Sequence, residues 1–285
     1  MRLGIIGLGL LGKAIARRLM AAGYQVCGYD IAEAACRGAQ DLGVEVLQNA
    51  RQVAEKVDTL LLSLMTSENR RALLWAEQAV AGALRPGALV LDTTTARPDD
   101  TVADHARLAK QEVRLVDVCV SGSSQVVAEG RALALVGDKK ADATYHALLE
   151  SFSKAQYYFD APGQGNRAKL IVNLVLGLHR LALAEALGLA AKGGFDLHTV
   201  LEILKEGGTY SVVMDTKGPH MLAGVYDPAV ARLAQHAKDV RLILEYAQEV
   251  GASVPVSELH SRLIQGAVDA GAGELDNAAI FKAYS

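Results

Sequence analysis

Cysteine is scarce in this chain of 285 residues: Cys27, Cys36 and Cys119 are the only three. An odd, dispersed set without metal-type spacing argues against a disulfide framework and fits a reducing, cytoplasmic setting. The seven histidines include no His-x-His or His-Glu-x-x-His pair, so metal catalysis has no support. The two signs of charge nearly cancel. A formal net charge of −3 offers little attraction to nucleic acid or to a membrane surface. No targeting segment is expected either: residues 1–12 are apolar behind Arg2, but Lys13, Arg17 and Arg18 follow at once, without a small-residue cleavage site. A carboxylate pair is also missing, since Asp117 and Glu129 lack suitable spacing.

What is present is a globular composition, 51% hydrophobic and 21% charged, with length for one large or two medium domains. The chain opens with an apolar run at residues 3–6 that ends in Gly7-Leu8-Gly9-Leu10-Leu11-Gly12. A helical pattern with Ala14, Ile15, Leu19 and Met20 follows, then a second strand-like run ending in Asp30. Strand, Gly-x-Gly-x-x-Gly, helix, strand and acid form the layout of a dinucleotide-binding βαβ unit. Gly7 permits the tight turn, Gly9 admits the pyrophosphate to the backbone, and Gly12 allows close packing of helix on strand. The helix N-terminus offers the phosphates free N–H groups and a positive dipole. Asp30 can accept bonds from a ribose 2′-hydroxyl and would repel a 2′-phosphate. Ile31 and Ala32 follow without an arginine, so NAD is expected over NADP.

Alternation continues, with strand-like runs at 44–47, 59–65, 88–95, 113–120, 131–138 and 156–161. Helical stretches at 34–42, 50–56, 69–84, 101–110 and 141–152 separate most of them. That pattern predicts an α/β fold, a Rossmann-type doubly wound and mostly parallel sheet. After Pro162 no convincing strand follows. The expected boundary is near residue 161, giving a dinucleotide-binding domain (1–161) and an all-α domain for substrate and dimerisation (162–285).

The second domain is entered through residues 163–194, which read as one long helix, apolar on nearly every face between Leu170 and Ala191. Asn173, His179, Arg180 and Glu185 interrupt it too often for a bilayer span, so burial on all sides is expected. Lys169 stands in the first turn, where the dipole disfavours a cation, with Asn173 four residues on and on the same face. A local rule broken at one residue marks a functional candidate. Ligands in open α/β sheets bind beyond the carboxyl ends of the strands. This draws in Leu64, Met65 and Thr66, then Thr93–Thr95, then Ser121, Gly122, Ser123 and Ser124. The hydroxyls could bind ribose, nicotinamide or a carboxylate; equally, they could cap turns or form a polar loop.

Together these stretches resemble the β-hydroxyacid dehydrogenase family, which includes 3-hydroxyisobutyrate and 6-phosphogluconate dehydrogenases. The resemblance rests on the glycine signature 7–12, DVCVSGSSQVVAEG at 117–130, GQGNRAKLIVN at 163–173 and Lys238-Asp239, in order along nearly the whole chain. It implies Lys169 as catalytic acid/base with Asn173 beside it, and Ser121 and Gly122 holding a substrate carboxylate. It also implies Thr95 and Lys238 contacting the cofactor near the nicotinamide, and a homodimer or homotetramer packed on the long helix. Cys119 replaces the motif's proline, Ser123 its second glycine and Val172 its first asparagine; the last two are expected to bear on substrate choice. His179 and Cys119 read as an interior or interface histidine and an inert buried thiol.

The expected activity is NAD-dependent interconversion of a small β-hydroxyacid and its semialdehyde or oxo form. Lys169 would be tuned toward working pH by burial and by the helix N-terminus. Two alternatives stay open. One is imine reduction, although imine reductases usually carry aspartate or tyrosine at the Lys169 position. The other is a non-catalytic dinucleotide-binding module with a helical partner surface.

Overall fold

Eight apolar runs become the eight strands of one sheet in the computed structural model, which describes residues 1–76, 79–139 and 143–284. They are β1 (Arg2–Ile6), β2 (Gln25–Tyr29), β3 (Glu45–Val46), β4 (Thr59–Leu62), β5 (Leu89–Asp92), β6 (Arg114–Ser121), β7 (Ala132–Val136) and β8 (Ser153–Tyr158). Their spatial order is β3-β2-β1-β4-β5-β6-β7-β8. All described pairings are parallel except β6–β7, where Val118 faces Val136 and Ser121 faces Leu133. A parallel sheet buried on both faces needs continuous apolar strands, and alternate residues go to opposite sides. Leu3, Ile5 and Leu61 join one apolar cluster, while Ile6, Leu60 and Leu62 join another.

The helices between strands are α1 (Leu10–Ala21), α2 (Glu33–Gln40), α3 (Ala50–Glu55), α4 (Ser67–Trp75), α5 (Pro98–Ala109), α6 (Ser124–Ala128) and α7 (Ala143–Glu150). The single helix expected over 69–84 is instead α4 plus a separate 3₁₀ turn, Val80–Ala83. Ala79, at φ 38°, leaves the right-handed region between them; residues 77 and 78 lie outside the described residues. The expected helix 141–152 is described as Ala143–Glu150, and residues 141 and 142 lie outside the described residues. α6 was not expected: the stretch after Gly122 reads as polar loop, yet its first residues cap a short helix.

The chain divides into two compact units, Met1–Lys169 and Leu170–Ser285. One continuous helix, α8 (Gln164–Lys192), begins in the first and continues through the second. The second unit also holds α9 (Leu197–Glu206), α10 (Val212–Ala223), α11 (Leu233–Glu249) and α12 (Pro255–Ala267). Its core joins Leu181, Leu183, Ala184 and Leu187 of α8 to Leu201, Met221, Leu233 and Ile264. Burial of α8 on all sides is not what one chain provides: Ile171, Val175 and Leu189 are 58%, 44% and 76% exposed. Among the described residues, α8 is the one helix long and apolar enough to cross a membrane.

Candidate active site

The glycine loop is built as its spacing requires. Gly7 sits at φ +95°, and a Cβ there would fall 2.1 Å from the Ser63 carbonyl oxygen. A Cβ on Gly12 would fall 1.9 Å from the Gly7 carbonyl oxygen, so α1 starts tight against the loop. At Gly9, the residue preceding α1, a Cβ would meet open space, which suits a loop approached by phosphate. Leu8 is fully buried, Leu11 is half-buried against the core, and Leu10 is 55% exposed. Asp30 lies beside the loop. Its Oδ2 accepts the Leu8 N–H at 2.6 Å and its Oδ1 the Ala32 N–H at 2.8 Å, which fixes the carboxylate at the end of β2.

At the ends of β4 and β5, Thr93 and Thr94 are consumed internally. Thr93 donates its hydroxyl to the Leu62 carbonyl (2.9 Å), and Thr94 Oγ1 accepts the Leu64 N–H (3.2 Å). Thr95 is half-buried, Leu64 is half-buried and Met65 is half-exposed. Beneath these loops lies an ion cluster that nothing in the sequence pattern singled out. Fully buried Arg70 donates to Asp92 (2.5 Å), Asp104 (2.9 Å) and Thr101 (3.0 Å), and Trp75 donates to Asp104 (2.8 Å). Burial alone would lower the Arg70 pKa; the two carboxylates outweigh it and hold the value up. Asp92 Oδ1 in turn accepts the Thr94 N–H at 3.0 Å, carrying the cluster to the loop above.

The stretches 117–130 and 163–173 meet. Asp117, fully buried on β6, accepts the backbone N–H groups of Gly163 and Asn166, both at 2.9 Å, and so satisfies donors at the start of α8. Burial pushes its carboxyl up from the ordinary range, against the pull of those N–H groups. Asn166, also fully buried, accepts the Ala96 N–H through Oδ1 at 2.7 Å. At the carboxyl end of β6, Ser121 is half-buried and Gly122 exposed. Ser123 Oγ accepts the Val126 N–H at 3.3 Å and caps α6, which leaves its hydroxyl proton to donate.

Lys169 is the sixth residue of α8 and half-buried. The helix begins at Gln164, so the lysine, expected in the first turn, stands in the second. A dipole contribution confined to the first turn is correspondingly weak there. In the second unit, buried Asn173 donates to Asp239 Oδ2 at 2.9 Å, and Lys238 Nζ pairs with Asp239 Oδ1 at 2.8 Å. Val172 is half-buried, and His179 is exposed on this chain rather than interior. Cys119 is fully buried, as expected. Among the described residues no group of three or more His, Cys, Asp or Glu could hold a metal ion.

Residues 2–160 match the model of the NAD binding domain of 6-phosphogluconate dehydrogenase. Residues 163–284 match that described as the NAD-binding of NADP-dependent 3-hydroxyisobutyrate dehydrogenase. L-threonate dehydrogenase of Escherichia coli (strain K12) is 29% identical, over 99% of this chain and 94% of that one. 2-(Hydroxymethyl)glutarate dehydrogenase of Eubacterium barkeri is 27% identical over 99% and 94%. The crystal structure of 3-hydroxyisobutyrate dehydrogenase from Salmonella typhimurium superposes with a TM-score of 0.92 at 27% identity, covering 99% of both chains. The glycine loop, the Asp30 carboxylate and these matches converge: the chain belongs to the β-hydroxyacid dehydrogenase family, as an NAD(P)-binding oxidoreductase of Rossmann fold.

Proposed function

We propose that the protein is an NAD-preferring dehydrogenase that interconverts a small 3-hydroxycarboxylate and its semialdehyde or oxo form. The observation that carries this reading is that Lys169 and Asn173 lie on one stripe of α8, with Asn173 held by Asp239, whose other oxygen pairs with Lys238. Bound nicotinamide supplies hydride exchange with the carbinol carbon. The proton falls to the chain. Lys169 in its neutral form takes it from the substrate hydroxyl during oxidation and returns it to the developing alkoxide during reduction. Asn173 orients the same oxygen, while Ser121, Gly122 and the free proton of Ser123 hold the substrate carboxylate. Thr95, Leu64, Met65 and Lys238 line the cofactor.

The preference for NAD rests on Asp30, whose carboxylate is fixed beside the glycine loop by the Leu8 and Ala32 N–H groups, and on residues 31–36, which include no basic residue. The next basic residue, Arg37, is engaged by Glu33 at 2.7 Å. Residues 1–161 serve the cofactor, and 162–285 serve substrate and subunit contacts. Exposed Ile171, Val175 and Leu189 on α8 suit a homodimer or homotetramer, and three dispersed cysteines suit the reducing cytoplasm.

L-threonate and 2-(hydroxymethyl)glutarate, named for two relatives, share with 3-hydroxyisobutyrate a hydroxyl on the carbon β to a carboxylate. The deciding experiment is a coupled screen: NAD⁺ reduction with these hydroxyacids, and NADH oxidation with C3–C5 semialdehydes and a cyclic imine. Turnover of a hydroxyacid or semialdehyde supports the reading. Turnover of the imine alone, or tight NADH binding without any turnover, rejects it.

A further inference from the structure

Thr95 is clamped from both sides. The N–H of the preceding residue, Thr94, is held by Asp92, and the N–H of the following residue, Ala96, by Asn166 Oδ1 at 2.7 Å. Asn166 does more than accept that one bond. Its Nδ2 donates to Thr101 Oγ1 (3.3 Å) and, at the limit, to Asp117 Oδ2 (3.4 Å), while its backbone N–H donates to the same Asp117 oxygen at 2.9 Å. The Cys119 thiol, standing where the family motif has proline, donates to Asn166 Oδ1 at 3.4 Å and to the Thr94 carbonyl at 3.6 Å. Thr101 continues the chain to Arg70 and through it to Asp92. The network therefore closes into a buried ring that runs under Thr95.

Asn166 lies one helical turn before Lys169, and Lys169 belongs by its packing to the first unit, with Thr95. We propose that Asn166 is a positioning residue. It locks the turn of α8 that bears Lys169 to the strand-end segment that bears Thr95, so that one buried amide sets both the proton-transfer group and the cofactor contact. This rests on the dehydrogenase reading above. A side chain that merely satisfied the Ala96 N–H would affect stability alone. A lock must also affect the chemical step, because small displacements of a reacting group cost large factors in rate.

The test is Asn166→Ala, assayed with the best substrate from the screen and with NADH deuterated at C4. Cofactor affinity is followed by nucleotide fluorescence. The lock predicts a kcat lower by about tenfold or more, cofactor Kd within about threefold, and a larger primary deuterium isotope effect as hydride transfer becomes rate-limiting. A kcat within about twofold of wild type with an unchanged isotope effect overturns it, whatever happens to Tm. If Asn166→Ala does not fold, the near-isosteric Thr101→Val removes one acceptor of the amide. It should lower kcat by about two- to fivefold with the same isotope signature, and no change there overturns the lock. Lys169→Ala measured in parallel separates the two readings. An inactive Lys169→Ala beside a normal Asn166→Ala sinks the lock alone, and an active Lys169→Ala sinks the acid/base role.

Discussion

The amide of Asn173 donates to the carboxylate of Asp239 at 2.9 Å, and Lys238 takes the other oxygen of that carboxylate at 2.8 Å. Two positions 66 residues apart are thus joined, with Asp239 fixing the amide proposed to orient the substrate oxygen. Asp239→Ala should lower kcat/KM by about tenfold or more, the order expected for a buried hydrogen bond to a charge. Asn173→Ala should do the same, and the double variant should be little worse than either. Steady-state kinetics on the cycle check this: additive losses would mean that the two residues work independently.

Lys169→Ala should reduce kcat by about a hundredfold or more while leaving cofactor binding intact. Survival of more than about a tenth of wild-type kcat would show that another group carries the proton.

Asp30 is tied to the glycine loop through Leu8, and the proposed ribose contact falls on the same carboxylate. Asp30→Ala should therefore cost kcat/KM with NADH by about tenfold, and with NADPH by less, narrowing the preference. A wild-type kcat/KM that already favours NADPH would contradict the reading of this carboxylate.

His260 is buried beside His236, with ring centroids 5.2 Å apart, and burial together with the Arg180 charge pushes its pKa down to about 4. A folded value below the unfolded ~6.5 means that the unfolded chain takes up the proton first. The stability concerned is therefore present above about pH 6.5 and lost as pH falls toward 4, up to about 3 kcal/mol. Urea midpoints should fall over that window for the wild type and less steeply for His260→Gln. Parallel curves would place the acid sensitivity elsewhere.

The glycine loop, Asp30 and the strand alternation were legible because each depends on local spacing. The direction of β7 was not, since an apolar run fits a parallel or an antiparallel neighbour equally well. Ser123 read as part of a polar loop although it caps α6, because a helix of five residues leaves almost no periodicity. Arg70, Asp104 and Asn166 were silent for a different reason. Their roles arise from contacts across 22 to 70 residues, and each sits in a segment whose pattern predicts only a helix. The start of α8 was placed within one residue, whereas Lys169, assigned to the first turn, is the sixth residue of the helix and stands in the second.

The anchoring of the first turn of α8 on Asp117 has a practical meaning for recombining this family. A crossover placed at the loop near residue 161 would keep backbone N–H groups for Asp117 but, wherever the relative lacks asparagine at position 166, leave the Ala96 N–H without its acceptor. The natural seam for exchanging helical halves between relatives lies after Lys169, inside a continuous helix, so that the turn anchored on Asp117 travels with the nucleotide half.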